Sequence, residues 1–224
     1  MTQHPRRVLS WESCFNVRDV GGYEMPSGGR TRWRSFVRAD NLCRLTSDGR
    51  ASLVAYGVRT VIDLRAPFER RIDPSPFAPA GAGAGEVAYL HLPLLDRDGT
   101  EANVWAAVDA APSVDAMYSL IVERCCTQIG AAVSAVAVAP EGGVLVYCHA
   151  GKDRTGLIAA LVLAVVGVPY ATIAKDYALS ERCLQPLYAS QLQREGDPEK
   201  RVTLERQLRS PLNTARARTM LTLL

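Results

Sequence analysis

The sequence predicts an α/β fold: a central, largely parallel sheet flanked by helices. Three observations carry that expectation. Short strand-like runs alternate with helical patterns along the chain. The apolar run "VLVY" passes through a short loop straight into "TGLIAALVLAVV". A chain of 224 residues with 48% apolar content is long enough for one sizeable core, so a single domain over residues 1–224 is the simplest organisation.

The elements follow in order. "NVRDVGGYEMPSGGRTRWRSFVRAD" is rich in turn residues and alternates around Trp33, Phe36 and Val37, the pattern of a hairpin or strand pair. In "TSDGRASLVAYGV", Thr46 is the expected N-cap, Leu53 and Val54 share a helical face, and Gly57 stops the helix. "VRTVIDLRA" reads as a strand, and "IDPSPFAPAGAGAGEVA" as an exposed loop. "VAYLHLPLL" alternates as a further strand. Residues 104–138 carry apolar side chains at helical spacing, interrupted only by Pro112, and include the adjacent Cys125 and Cys126. The strand "GVLVYC" comes next, then helical patterns over 157–166 and 170–182 and polar, charge-laced segments to Leu224. No internal repeat is present.

Composition excludes several classes. A net charge of +3 without a block of like charge argues against nucleic acid. The apolar run 157–168 is shorter than the roughly 20 residues that span a bilayer, so no integral membrane segment is expected. "MTQHPRRVLSWESCFN" has a basic pair with no apolar stretch behind it, unlike a secretory signal. The six cysteines lack paired metal-ligand spacing and read as free thiols of a reducing compartment, which predicts a cytoplasmic protein; export without a signal peptide is the alternative.

The chemistry concentrates in "CHAGKDRTG". In a parallel α/β sheet, ligands sit beyond the carboxyl ends of strands, where loops open onto helix N-termini. Such a terminus presents unsatisfied N–H groups and a positive partial charge, and Gly151 lets the backbone curl so that successive N–H groups converge. Arg154 adds a planar guanidinium able to bind two phosphate oxygens. Cys148 opens the same loop, where these donors favour a thiolate, and a thiolate beneath a bound phosphate is a nucleophile aimed at phosphorus. A Walker-type nucleotide loop is ruled out: it needs Gly and Ser/Thr where the chain has Val146 and Asp153.

The Cys148–Arg154 spacing, with five residues between, is the signature of protein tyrosine phosphatases. "CHAGKDRTG" resembles the loop of the atypical bacterial tyrosine phosphatases typified by mycobacterial protein tyrosine phosphatase B. "FNVRDVGGY", "WRSFVRADNLCRLTSDG", "GVRTVIDLRAPFE" and "DYALS" resemble that family's segments in order, covering roughly residues 15–185. The resemblance implies a cysteine-phosphatase-like sheet and a metal-independent phosphatase with no cofactor. Its substrates would be phosphoproteins, phosphotyrosine above all, with phosphoserine, phosphothreonine and phosphoinositides in range.

By the same resemblance Cys148 forms a phosphocysteine, while Arg154 and the loop amides of His149, Ala150, Gly151 and Lys152 hold the phosphoryl oxygens. Asp153 protonates the leaving oxygen, Thr155 stabilises the departing thiolate, and the Lys152 charge suits multiply phosphorylated substrates. Two departures stand out: Tyr147 occupies the place of the usual His before the nucleophile, and the family continues with further helices beyond the position of Leu224, which predicts a truncated or rearranged end. The rival reading is a catalytically silent phosphate-binding module, which usually loses the Cys or the Arg. A sulfur-transfer role gives no reason for Asp153 and Thr155 beside Arg154.

Other polar residues are weighed individually. Arg18, Asp19, Asp63, Arg65 and Glu69 read as a scaffold network rather than site neighbours. Asp96, with Asp98 in "DRDG", follows a strand whose end faces the loop, so Asp96 is the alternative general acid. His91 reads as a satisfied, half-buried residue. The helical stretch 104–138 reads as core, with a helical lid over the pocket as the alternative the resemblance brings.

Overall fold

The computed structural model describes residues 7–79, 81, 85–96, 102–208 and 215–224. Its five strands are β1 (Arg18–Asp19), β2 (Phe36–Ala39), β3 (Val58–Asp63), β4 (Ala88–His91) and β5 (Gly143–Tyr147), in the spatial order β1-β2-β5-β3-β4. β1 pairs antiparallel with β2, and the remaining pairs are parallel. β5, last in the chain, lies at the centre. All five of its residues are buried, as an apolar strand covered on both faces requires.

Alternation along β5 divides two apolar cores. Val144, Val146 and Cys148 face one cluster and Leu145 and Tyr147 the other. The first is covered by α4 (Val114–Arg124), α5 (Cys126–Ala137), α6 (Asp153–Val165), α7 (Tyr170–Arg194) and α9 (Ala217–Leu223). The second is closed by α1 (Ser47–Tyr56), Trp11, the 3₁₀ turn Leu42–Arg44 and Phe77. α1 has the expected ends: the Thr46 hydroxyl accepts from the Gly49 N–H at 3.1 Å, and Gly57 closes the helix in the left-handed region at φ 104°.

Three expectations are corrected. Residues 104–138 form three helices, α3 (Ala102–Asp109), α4 and α5, with a second break at Cys125 that the apolar pattern hides. The chain bends by 81° there, so Ile121 and Ile129 on either side reach the same core. The run expected to end near residue 182 continues to Arg194 through Pro186. A proline inside a helix costs about 3 kcal/mol. Leu184 and Leu187, both buried beside it, each return roughly 1.5–3 kcal/mol, so burial prevails. The loop after α2 (Pro67–Ile72) is not simply exposed, since Ser75 and Phe77 are each 2% accessible.

α4 and α5 belong to the core, as read, whereas α3 contributes half-buried side chains and abuts α2 through an edge-to-face contact of Trp105 with Phe68. α8 (Pro198–Leu208) follows α7, and α9 packs against α7 and α4, with Met220 fully buried. No single helix among the described residues is long and apolar enough to cross a membrane.

Candidate active site

The loop between β5 and α6 leaves the carboxyl end of the central strand, with β2 and β3 on either side. Its carbonyls are tied outward one by one. His149 O accepts from the Asn41 N–H at 3.0 Å, Ala150 O from Asn16 Nδ2 at 2.9 Å, and Gly151 O from Arg38 Nη2 at 2.8 Å. In a trans peptide the carbonyl and the following N–H point opposite ways. The N–H groups of Ala150, Gly151 and Lys152 therefore turn inward, and α6 begins at the next residue, an arrangement chemically able to receive an anion. Gly151 has φ 64°, and a Cβ there would lie 2.4 Å from Ala39 O, so the close approach of loop to β2 admits only glycine.

The loop rests on a buried ionic cluster. Arg18 Nε lies 3.1 Å and Arg38 Nη1 2.8 Å from the Asp176 carboxylate of α7, the Tyr23 hydroxyl donates to it at 2.8 Å, and Ser180 Oγ accepts from Arg18 Nη2 at 3.0 Å. Burial works against a charge on Asp176, but Arg18 and Arg38 hold it well below the usual carboxylate range. Arg18 Nη1 also fixes the Asn16 side-chain oxygen at 2.5 Å, and Asp40 accepts the Asn16 N–H at 2.8 Å, which aims the Asn16 amide at the loop. Removing one partner of a buried pair costs about 3–5 kcal/mol, so this base is stiff. Sequence reasoning assigned no role to Asn16, Arg38, Asn41, Asp176 or Ser180. The available signal was the presence of charged residues inside apolar strand patterns such as "FVRAD".

Cys148 is 2% exposed at the start of this loop. Burial pushes the thiols of Cys14 and Cys183 up and that of Cys43 to about 12, so these three remain protonated, unreactive side chains near neutral pH. The hydroxyl of Thr155 is buried and without a hydrogen-bond partner among the described residues. His149 is exposed and Ala150 half-buried. Lys152 is only 2% exposed, with Nζ 3.5 Å from Asp153 Oδ2. Its charge is thus buried beside Asp153 rather than exposed on the surface. Asp153 keeps 32% of its side chain exposed and accepts a hydrogen bond from the Tyr118 hydroxyl at 2.9 Å. Asp96 is half-buried beyond β4, the edge strand, with β3 between β4 and β5; Asp98 lies outside the described residues.

Glu69 departs from its scaffold reading. Pro67 opens α2, and Glu69, at the third helical position, accepts the Ala66 N–H at 2.8 Å in the manner of a capping-box acid. The same carboxylate takes one hydrogen from each terminal nitrogen of Arg154: Nη2 at 2.8 Å, and Nη1 through a very short contact. Nε–H and an outer Nη hydrogen remain for two phosphoryl oxygens, so Glu69 orients the guanidinium without blocking it. Burial opposes the Arg154 charge, yet Glu69, the Cys148 sulfur and Asp153 raise its pKa. Burial likewise opposes ionisation of Glu69, and Arg154 holds it down.

Glu69→Gln should lower kcat/KM by on the order of 10², the penalty of a misplaced catalytic group. Because the folded-state value of Glu69 is depressed, its stabilisation is fully present above the ordinary 4.5 and is lost as pH falls through the lowered value. The Tm difference between native protein and Glu69→Gln should therefore shrink as pH falls below 4.5, and melting curves taken across that range check it.

The remaining charged residues are scaffold, as read. Arg65 donates to both oxygens of Asp63, at 2.9 and 2.7 Å, and the Tyr147 hydroxyl donates to Asp63 Oδ2 at 2.6 Å. Tyr147 lies on the opposite sheet face from Cys148 because strand neighbours alternate, so the residue before Cys148 is structural here. Asp19 accepts the N–H groups of Gly21 and Arg34, each at 2.6 Å. His91 is satisfied: its Nε2 pairs with Arg65 O and its Nδ1 with Arg70 Nη1, both at 2.7 Å.

A family model described as tyrosine phosphatase family matches residues 9–224. A tyrosine-protein phosphatase of Nostoc commune is 35% identical over 153 residues, covering 67% of this chain and 50% of its own length. The chain thus spans half of that relative. The triple specificity protein phosphatase PtpB of Mycobacterium tuberculosis is 30% identical over 203 residues, covering 81% of this chain and 72% of the relative. A crystal structure of TpbA from P. aeruginosa in complex with phosphotyrosine has 17% identity and a TM-score of 0.39, covering 79% of this chain and 80% of that one.

Proposed function

Given that the chain belongs to the tyrosine phosphatase family, we propose that it is a metal-independent phosphatase that hydrolyses phosphotyrosine through a phosphocysteine on Cys148. The observation that carries the reading is the outward tethering of three consecutive loop carbonyls, which turns the amides of Ala150, Gly151 and Lys152 the opposite way, into the loop that Cys148 opens.

The Cys148 thiolate attacks phosphorus, the bond from phosphorus to the leaving oxygen breaks, and Asp153 gives its proton to that oxygen. Charge on the equatorial oxygens is met by the inward amides and by Nε–H and the outer Nη hydrogen of Arg154. In the second half, ionised Asp153 takes a proton from water as the water attacks the phosphocysteine, releasing phosphate. The otherwise unpartnered Thr155 hydroxyl donates to the departing thiolate. Asp153 is favoured over Asp96 because it stands at the start of α6 beside Arg154, whereas Asp96 follows the edge strand.

The name of the mycobacterial relative, triple specificity, supports a range wider than phosphotyrosine. The range proposed includes phosphoserine, phosphothreonine and phosphoinositides, with the buried Lys152 charge favouring multiply charged groups. The test is phosphate release from phosphotyrosine peptides, phosphoserine peptides and phosphoinositide vesicles in the presence of chelator. Phosphotyrosine peptides should be turned over most readily and chelation should change nothing. Binding of all three without phosphate release would establish a silent module instead.

A further inference from the structure

We propose that Tyr118, backed by Tyr177, is a positioning residue for Asp153: by holding one carboxyl oxygen it directs the transferable proton to the other, the oxygen facing the leaving group. The inference rests on the reading of Asp153 as the acid and adds to it two residues on distant helices. Tyr118 of α4 is 1% exposed; its hydroxyl lies 2.9 Å from Asp153 Oδ1 and 2.9 Å from the hydroxyl of Tyr177 on α7. The two rings meet edge to face with centroids 6.1 Å apart. A phenol has one hydrogen to give. Donated to Asp153, it leaves the Tyr177 hydroxyl to complete the second contact, so the pair forms a directed chain that ends on Oδ1.

Asp153 Oδ2 has a different setting, with Lys152 Nζ at ion-pair distance, 3.5 Å, and 32% of the side chain open to solvent. A carboxyl whose Oδ1 already accepts a hydrogen bond keeps its own proton on Oδ2. The charged and titratable groups around the carboxyl are Lys152 and Arg154 from its own segment, Tyr118 from α4, and Tyr177 and Tyr188 from α7. Burial raises the pKa of Tyr118, and the Asp153 charge raises it further, so the phenol remains a donor throughout the working range.

A second observation comes from the last glycine of the loop motif, to which the chemistry gives no part. A Cβ on Gly156 would lie 3.0 and 3.1 Å from the Tyr177 ring and 3.2 Å from Arg38 Nη2. Glycine at this place lets Tyr177 press against the first turn of α6, where Asp153 sits.

The experiment is Tyr118→Phe, which keeps the ring and removes the hydroxyl, assayed on a phosphotyrosine peptide and on 4-nitrophenyl phosphate. Loss of positioning should lower kcat on the peptide by about tenfold, part of the roughly 10²–10⁴ a general acid supplies, and leave the activated ester nearly unchanged. The alkaline limb of the kcat profile should move while KM holds. In an Asp153→Asn background Tyr118→Phe should add nothing. Equal losses on both substrates, or full additivity with Asp153→Asn, would overturn the proposal. Tyr177→Phe is the second variant and should show the same leaving-group signature more weakly; its absence in both phenylalanine variants is equally fatal. Were Asp153→Asn itself to lack leaving-group dependence, the acid assignment would fall and the proposal with it. A signature in Asp153→Asn but in neither tyrosine variant would sink the proposal alone.

Discussion

Cys148→Ser is expected to reduce turnover to the assay floor while phosphate still binds. The exchange is close to isosteric at a 2% exposed position, so the loop should keep its shape, and its carbonyls remain tied by Asn41, Asn16 and Arg38. The inward amides and Arg154 then continue to hold an oxyanion. What is lost is the nucleophile: a serine hydroxyl at neutral pH has almost no alkoxide. Equilibrium binding of inorganic phosphate and phosphotyrosine, measured beside single-turnover phosphate release, checks both halves. Appreciable turnover in the serine variant would remove the phosphocysteine route.

Arg154→Lys should cost about 10³-fold or more in kcat/KM, since mutagenesis of a single transition-state donor typically costs about 10²–10³ and this exchange removes more than one. Charge is conserved, so a purely Coulombic role would predict a mild effect. Geometry predicts a severe one. The Arg154 guanidinium meets Glu69 with its two terminal nitrogens and offers a second, side-on fork to the phosphoryl group; an ammonium cannot do both. The loss should fall on kcat more than on KM, because the planar match is best where charge spreads over the equatorial oxygens. Near-native activity in the lysine variant would make the fork irrelevant. Comparison with Glu69→Gln separates loss of the fork from loss of its orientation.

Much of this was legible along the chain. Helix α1, with Thr46 and Gly57 at its ends, and the buried strand β5 appear where their local chemistry places them. The break at Cys125 was not, because an apolar repeat continues across a bend when both arms face one core. Pro186 misled in the opposite sense: it signals a stop, and only the burial of Leu184 and Leu187 shows why the helix passes through it.

By itself the sequence determined the composition of the loop on which the proposed chemistry rests, because its thiol, glycine and guanidinium belong to one strand-loop-helix connection. Cys148, Gly151, Asp153, Arg154 and Thr155 carry their relative positions in their spacing. Only the tertiary structure decided what holds those residues in place. Asn16, Arg38, Glu69, Tyr118 and Asp176 come from separate parts of the chain, up to 158 residues from the groups they pair with. A charge or phenol has no address in sequence. Its partners depend on which elements lie beside which, and the strand order places the last strand of the chain between two earlier ones.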